Sequence, residues 1–432
     1  MILIEKLLFY SLIFFLPFQT RKILAQWPAS PVGGGDSFNE WTSVYLYLTD
    51  ILILLIFALW FWRLRKQGFS KNLNWEWLDN KIRGPEFWLV IFIIVSFISL
   101  SQAGNIQLGF YQWLKLLEFV LLFFYLRFNF NSLFSLKCLF QILVASGFIQ
   151  SIIALSQFIN QRSLGLTILR ESPLGINIDG VAKIATNGFK MIRAYGGLPH
   201  PNLLAVFLFV CLFSLIYLWL NKKHSFRNYI ILSIVFFFFF FGLFLTFSRL
   251  IIFTFIVFSF IYLVLNFKKH KKQILVLFLL FTVHCSLFTV LAWPEISSRF
   301  QISSGEQAVG LRSFYNQTSF SVIKEHPFLG IGSGNFVWTV RQMFSLLPAW
   351  VFQPVHNIYL LIGSETGLIG LMAFLMFLFQ LFRKKESGYW LLFIGYSFLF
   401  IGLFDHFFWT LQQGQLIFWL VLGLLTTIRR GV

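Results

Sequence analysis

Long apolar runs, cut at intervals by short polar breaks, set the pattern of this chain. At 1.5 Å per residue, a bilayer core is crossed by about 20 apolar residues in a helix. Runs of that kind predict spans near 5–20, 42–62, 86–103, 108–126, 138–159, 201–220, 229–246, 250–267, 273–293, 357–382, 389–404 and 412–428. Residues 229–267 are apolar almost throughout. As one helix they would reach roughly 58 Å, about twice a bilayer core. The chain must therefore turn, and Thr246-Phe247-Ser248-Arg249 is the polar break that places a tight hairpin. The expectation is an all-α polytopic membrane protein of about 12 transmembrane helices. Residues 1–432 form a single integral membrane domain, with a long outward-facing loop (294–356) between spans 9 and 10.

Composition agrees. Apolar and aromatic residues make up 58% of the chain and charged residues 12%, against about 25% charged in soluble domains. The 60 phenylalanines read as an aromatic, lipid-facing habit. The formal net charge is +18. Much of it lies in short loops between spans, where the positive-inside rule accounts for it, so nucleic acid is not an expected partner. With the N-terminus in the cytoplasm, the basic clusters Arg63 to Arg83, Lys222 to Arg227, Lys268 to Lys272, Arg383 to Lys385 and Arg429-Arg430 all fall inside. The C-terminus is then cytoplasmic too. The loops 160–200 and 294–356, the Ser248-Arg249 hairpin and the Asp405-His406 turn face outward. Cys138, Cys211 and Cys285 lie within apolar runs without metal-ligand spacing, which argues against a disulfide framework or a metal site.

Polar residues able to do chemistry collect on the outward side: Arg193, His200, Arg249, Arg312, His326, His356, Asp405 and His406. The set is rich in Arg and His and poor in carboxylates. It suits a phosphate ligand without a tightly held metal. A polar island from Arg312 to Gly370 runs into a span at His356-Asn357-Ile358. His356 reads either as a general base at the water edge or as an interfacial histidine at a helix start; Asn357 reads as the N-cap. Arg249 would clamp a phosphate or snorkel to headgroups. Arg193, before Gly196-Gly197 and a helix start, would bind an anion or stand in water as a loop arginine. Arg312 opens an amphipathic stretch to Lys324 that also reads as a helix lying on the membrane. The turn His326 to Phe336 is rich in glycine and reads as structural. Asp405-His406 reads first as a structural hydrogen bond, and as a proton-handling pair second. Lys115 and Glu118, three residues apart, suggest a buried ion pair.

Four pieces of this pattern, in order, resemble the O-antigen ligase and polymerase-like membrane glycosyltransferases. They are Arg193 to Asn202 before a span; Ser248-Arg249 opening a span; Arg312 with His326 to Phe336; and His356 to Leu360 with Glu365-Thr366-Gly367-Leu368-Ile369-Gly370. The resemblance covers about 190 to 380. It implies a GT-C-like fold and an inverting transfer, independent of metal or other cofactor, on the outer face of the bacterial cytoplasmic membrane. The donor would be a glycan on undecaprenyl diphosphate, and the acceptor a sugar or lipid-core hydroxyl. By the same resemblance His356 would activate the acceptor, and Arg193 and Arg249, with Arg312 as a further candidate, would hold the diphosphate; part of the site would lie in the 294–356 loop. A transporter or flippase of lipid-linked oligosaccharides is the competing expectation. Ligase and polymerase are not separated by these residues.

Overall fold

The computed structural model describes residues 1–27, 39–67, 84–186, 189–221, 225–300, 307–383 and 389–427. Of the basic loop residues used for topology, Lys71, Lys81, Arg83, Lys222, Lys223, Lys384, Lys385, Arg429 and Arg430 lie outside them. Among the described residues the regular structure is helical apart from two short antiparallel strand pairs: β1 (Arg21–Gln26) with β2 (Ser43–Tyr47), and β3 (Lys183–Thr186) with β4 (Phe189–Ile192). The helices are α1 (Ile2–Phe15), α2 (Leu48–Gln67), α3 (Pro85–Ile98), α4 (Ile106–Leu133), α5 (Leu136–Asn160), α6 (Pro201–Leu220), α7 (Phe226–Phe244), α8 (Arg249–Leu291), α9 (Trp293–Phe300), α10 (Gln307–Glu325), α11 (Phe336–Met343), α12 (Ile358–Arg383), α13 (Tyr389–Ile401), α14 (Phe407–Thr410) and α15 (Gln412–Leu425).

Seven of these helices (α3 with its continuation to Gln102, α4, α5, α6, α7, α8 and α12) are long and apolar enough to cross a membrane, and two shorter apolar ones accompany them. The chain is an all-α multi-pass membrane protein. The described elements depart from the sequence pattern in three places, the run expected at 42–62 opening with β2 before α2 begins at Leu48. The runs expected at 250–267 and 273–293 form one 43-residue helix, broken only at His270, where φ is −130°. That kink sits inside the basic cluster Lys268 to Lys272, so the turn is made by a bend in the helix with no separate loop. In the run expected at 5–20, helix ends at Phe15 and the chain passes into β1.

The chain clusters into two compact units. The first comprises residues 1–9, 21–133 and 305–432; the second comprises 10–20 and 134–304. Ion pairs tie helices together inside the first. Lys115 bonds Glu118 at 2.9 Å, as its spacing predicts, and also Asp50 at 2.6 Å. Gln412 and the Tyr47 backbone amide also donate to the Asp50 carboxylate. Arg63, counted above as a loop residue, instead reaches Glu5 at 2.9 Å, and Arg127 pairs with Glu86. A charge withdrawn from water must be paired to be tolerated. In the second unit Phe236 and Phe239 to Phe241 are buried, so part of the phenylalanine excess fills the protein interior and does not face lipid. The three cysteines are free thiols.

Candidate functional site

In the first unit, His356 immediately precedes α12. Asn357 caps that helix: its Oδ1 accepts from the backbone amides of Tyr359 at 2.9 Å and Leu360 at 3.0 Å. This satisfies two of the four amides that a helix start leaves open. Capping is thus done by Asn357, and the imidazole of His356 is left for other work. Its ring stacks on Tyr315 of α10, with centroids 5.7 Å apart and planes at 12°. The Tyr315 hydroxyl donates to the Val351 carbonyl at 2.6 Å, which fixes the platform. On the other side His406 meets His356 edge to face at 4.8 Å. His356 Nδ1 is buried without a hydrogen-bond partner among the described residues.

Burial is the largest influence on this imidazole and pushes its pKa below the ordinary value; Asp405 pulls it back up, Arg312 pushes it down again, and the Pro354 backbone, as a hydrogen-bond acceptor, raises it slightly. A histidine held neutral this way is free to accept a proton. Arg312 itself is exposed on α10, one turn before Tyr315. Asp405 accepts from the His406 backbone amide at 2.9 Å. The His406 ring is also engaged: Nδ1 lies 2.7 Å from the Thr410 hydroxyl, and Trp41 stands edge-on at 5.7 Å. Thr410, Glu365, Gln112 and Gln415 border a cavity of about 40 Å³, room for a water or two.

The turn from His326 to Phe336 is the scaffold beneath this group. Gly330, Gly332 and Gly334 all have positive φ. A Cβ on Gly330 would run into the Ser364 and Glu365 backbone, and one on Gly334 into Gln112. The Ile331 amide donates to the Ser364 carbonyl at 2.9 Å. On α12, Gly367 also has positive φ (68°), and the Leu368 amide donates to the Pro327 carbonyl at 2.7 Å. The turn therefore docks on a break in α12, and only glycine fits both sides of the contact. Glu365, buried beside it, accepts from the Phe336 amide at 3.3 Å.

The second unit holds Arg193 and Arg249. Arg193 is only 8% exposed, so the reading of a loop arginine standing in water does not hold. Its Nε donates to the Thr246 carbonyl at 2.5 Å and its Nη2 to Asn202 Oδ1 at 2.8 Å. The next residue, Ala194, donates its amide to Leu245 at 3.1 Å. The 193–202 segment is thereby stitched to the hairpin between α7 and α8. Phe247 turns that hairpin with φ 48°, Ser248 occupies the N-cap position, and Arg249 opens α8 exposed. His200 caps α6, its Nδ1 accepting from the Asn202 amide at 3.2 Å. Arg193 and the hairpin that carries Arg249 are thus local neighbours, although 56 residues separate the two arginines in sequence.

Tyr315, Trp41 and Thr410 were not singled out in the sequence. Tyr315 and Trp41 act through long-range contacts that no local spacing announces; Thr410 meets the His406 ring from four residues along, a local spacing. Among the described residues no cluster of three or more His, Cys, Asp or Glu has a metal-binding arrangement. Residues 234–375 match the model of a family described as O-antigen ligase. The match runs from α7 into α12 and takes in Arg249, Arg312 and His356; Arg193 precedes it. The resemblance to that family is borne out over this stretch. No curated protein matches the chain.

Proposed function

We propose that this O-antigen ligase-like membrane protein is a glycosyltransferase that moves a glycan from undecaprenyl diphosphate to an acceptor hydroxyl on a sugar or lipid core. The reaction takes place at the outer face of the bacterial cytoplasmic membrane, with both chain termini in the cytoplasm. His356 is the general base: a neutral imidazole takes the acceptor proton as the acceptor oxygen attacks the anomeric carbon. The bond from that carbon to the diphosphate breaks with inversion, and negative charge grows on the leaving group. Arg193 and Arg249, with Arg312 as a further contributor, neutralise that charge in the role a metal ion plays elsewhere.

The observation that carries this reading is the state of His356. Asn357 does the capping, Tyr315 fixes the ring plane, and burial keeps the imidazole neutral with an open Nδ1. A base of this kind contributes about 10²–10⁴ in rate. The test is turnover by purified protein in detergent, with lipid-diphosphate glycan as donor and EDTA present. Release of undecaprenyl diphosphate together with a new glycosidic bond supports the reading, and neither product forming contradicts it.

One observation favours a second reading. Lys115, Asp50 and Glu118 make a buried charge cluster, and ionisable groups within a membrane protein commonly line transport pathways. Under that reading Lys115→Met abolishes translocation in vesicles, and the detergent-purified protein releases no diphosphate.

A further inference from the structure

The outward-loop helix α11 carries an arginine that neither the motifs nor the proposed reaction uses. Arg341 is buried, with 9% of its surface exposed. Its Nε and Nη1 are screened from water and have no hydrogen-bond partner among the described residues. It also forms none of the ion pairs found among them. Its guanidinium carbon sits 5.2 Å from the ring centroid of Trp338. That ring is wedged against Gly104, where a Cβ would come within 3.2 Å of it. A π face attracts the cation but offers no acceptor for its N–H groups. A buried guanidinium with open donors is costly, and the cost is removed by an anion that fills them.

The chain beyond it indicates where that anion comes from. From Gln342 to Val355 there is no charged residue. Met343, Phe344, Leu346 and Trp350 are exposed, Leu346 by 88%. On a water-facing loop such a run would be a liability. On the extramembrane part of a multi-pass membrane protein it fits a segment lying in the interface, with tryptophan at headgroup level and leucine in the acyl boundary. An anion at that depth is carried by lipid. Guanidinium is the side chain that pairs best with phosphate oxygens.

We propose that Arg341, backed by Trp338, binds the phosphate of an anionic phospholipid, and that the exposed side chains of Met343, Phe344, Leu346 and Trp350 seat this edge of the loop on the outer leaflet. Burial lowers the Arg341 pKa, and no neighbouring carboxylate offsets it, in keeping with a site that awaits its anion. The inference is independent of the transfer reaction, because lipid binding is read without turnover.

The test is native mass spectrometry of the full-length protein in detergent, titrated with phosphatidylglycerol, with phosphatidylcholine and, separately, with undecaprenyl diphosphate. The wild type should hold phosphatidylglycerol more tightly than phosphatidylcholine. Arg341→Gln should weaken phosphatidylglycerol roughly tenfold, the scale of one charge-assisted hydrogen bond, and Arg341→Lys should weaken it less. Leu346→Ser should weaken both phospholipids. Thermal unfolding keeps the proposal falsifiable if the glutamine variant folds poorly. Arg341→Met removes an unfilled buried charge, so it should melt no lower than the wild type without lipid, and should lose the rise in Tm that phosphatidylglycerol gives the wild type. The proposal is overturned if Arg341→Gln binds phosphatidylglycerol as the wild type does. It is also overturned if only undecaprenyl diphosphate binding falls, or if Arg341→Met keeps the full lipid-dependent rise.

Discussion

The imidazole of His356 lies face to face on the phenol ring of Tyr315, 5.7 Å between centroids and 12° between planes. Tyr315 is anchored in turn by its hydroxyl on the Val351 carbonyl. The orientation of the proposed base thus depends on a hydrogen bond that does not touch it. Tyr315→Phe keeps the platform and loses the anchor, so a loss of about 0.5–1.5 kcal/mol in stability and a modest fall in transfer are expected. Tyr315→Ala removes the platform and should lower transfer much further while donor KM changes little. Steady-state kinetics in detergent distinguish the two effects.

The pH dependence follows from the groups around His356. Burial places its folded pKa below the ordinary value near 6.5, which is where the unfolded chain titrates. Between those two values the unfolded chain binds more protons, so stability falls as pH drops through that window. The acid limb of the transfer rate should likewise lie below pH 6.5. Asp405 raises this pKa and Arg312 lowers it. Asp405→Asn should therefore move the acid limb to lower pH, and Arg312→Gln should move it to higher pH. A pH–rate profile in which the two variants shift the same way would contradict the assignment.

Arg193 has a structural duty beside its proposed ligand role. It holds the Thr246 carbonyl and Asn202 from one guanidinium. Arg193→Lys cannot reproduce that fork, and hydrogen bonds from a charged donor contribute about 1.5–3 kcal/mol each. The lysine variant should lower the unfolding temperature as well as transfer. Arg249→Gln, at an exposed helix start, should lower transfer by about 10²–10³ if it holds charge in the transition state.

Gly367 has φ 68°, and a Cβ there would collide with the Phe328 carbonyl. Gly367→Ala should push the His326 to Phe336 turn off α12, at a cost of about 1–3 kcal/mol from backbone strain alone. Reduced expression and a lower melting temperature are the readout. Gly310, within α10, has open space where a Cβ would stand, so Gly310→Ala should leave the melting temperature no lower than the wild type and serves as the control.

What could be read from the sequence was what is local. The break at Thr246 to Arg249 interrupts an apolar run too long for one crossing, and the chain turns there. Asn357 stands beside a span start and caps it. Lys115 and Glu118 share a helix face and pair. Other features depend on the tertiary fold. Nothing near Arg193 in sequence announces that its partner is the Thr246 carbonyl, 53 residues away. The same is true of Tyr315 beneath His356 and of Asp50 joining Lys115. The kink at His270 was hidden for a different reason: a basic cluster reads as a loop whether the helix stops there or only bends. β2 (Ser43–Tyr47) was concealed because it opens the apolar run expected as a span at 42–62, and apolar content alone does not separate a buried strand from the start of a helix.

The central claim is that His356 accepts the acceptor's proton. The direct measurement is transfer from a lipid-diphosphate donor by purified His356→Ala, beside wild type, with folding checked by thermal unfolding. The account predicts a fall of about 10²–10⁴ in kcat, with unfolding temperature and donor binding close to wild type. A folded His356→Ala protein that transfers glycan at the wild-type rate would contradict it.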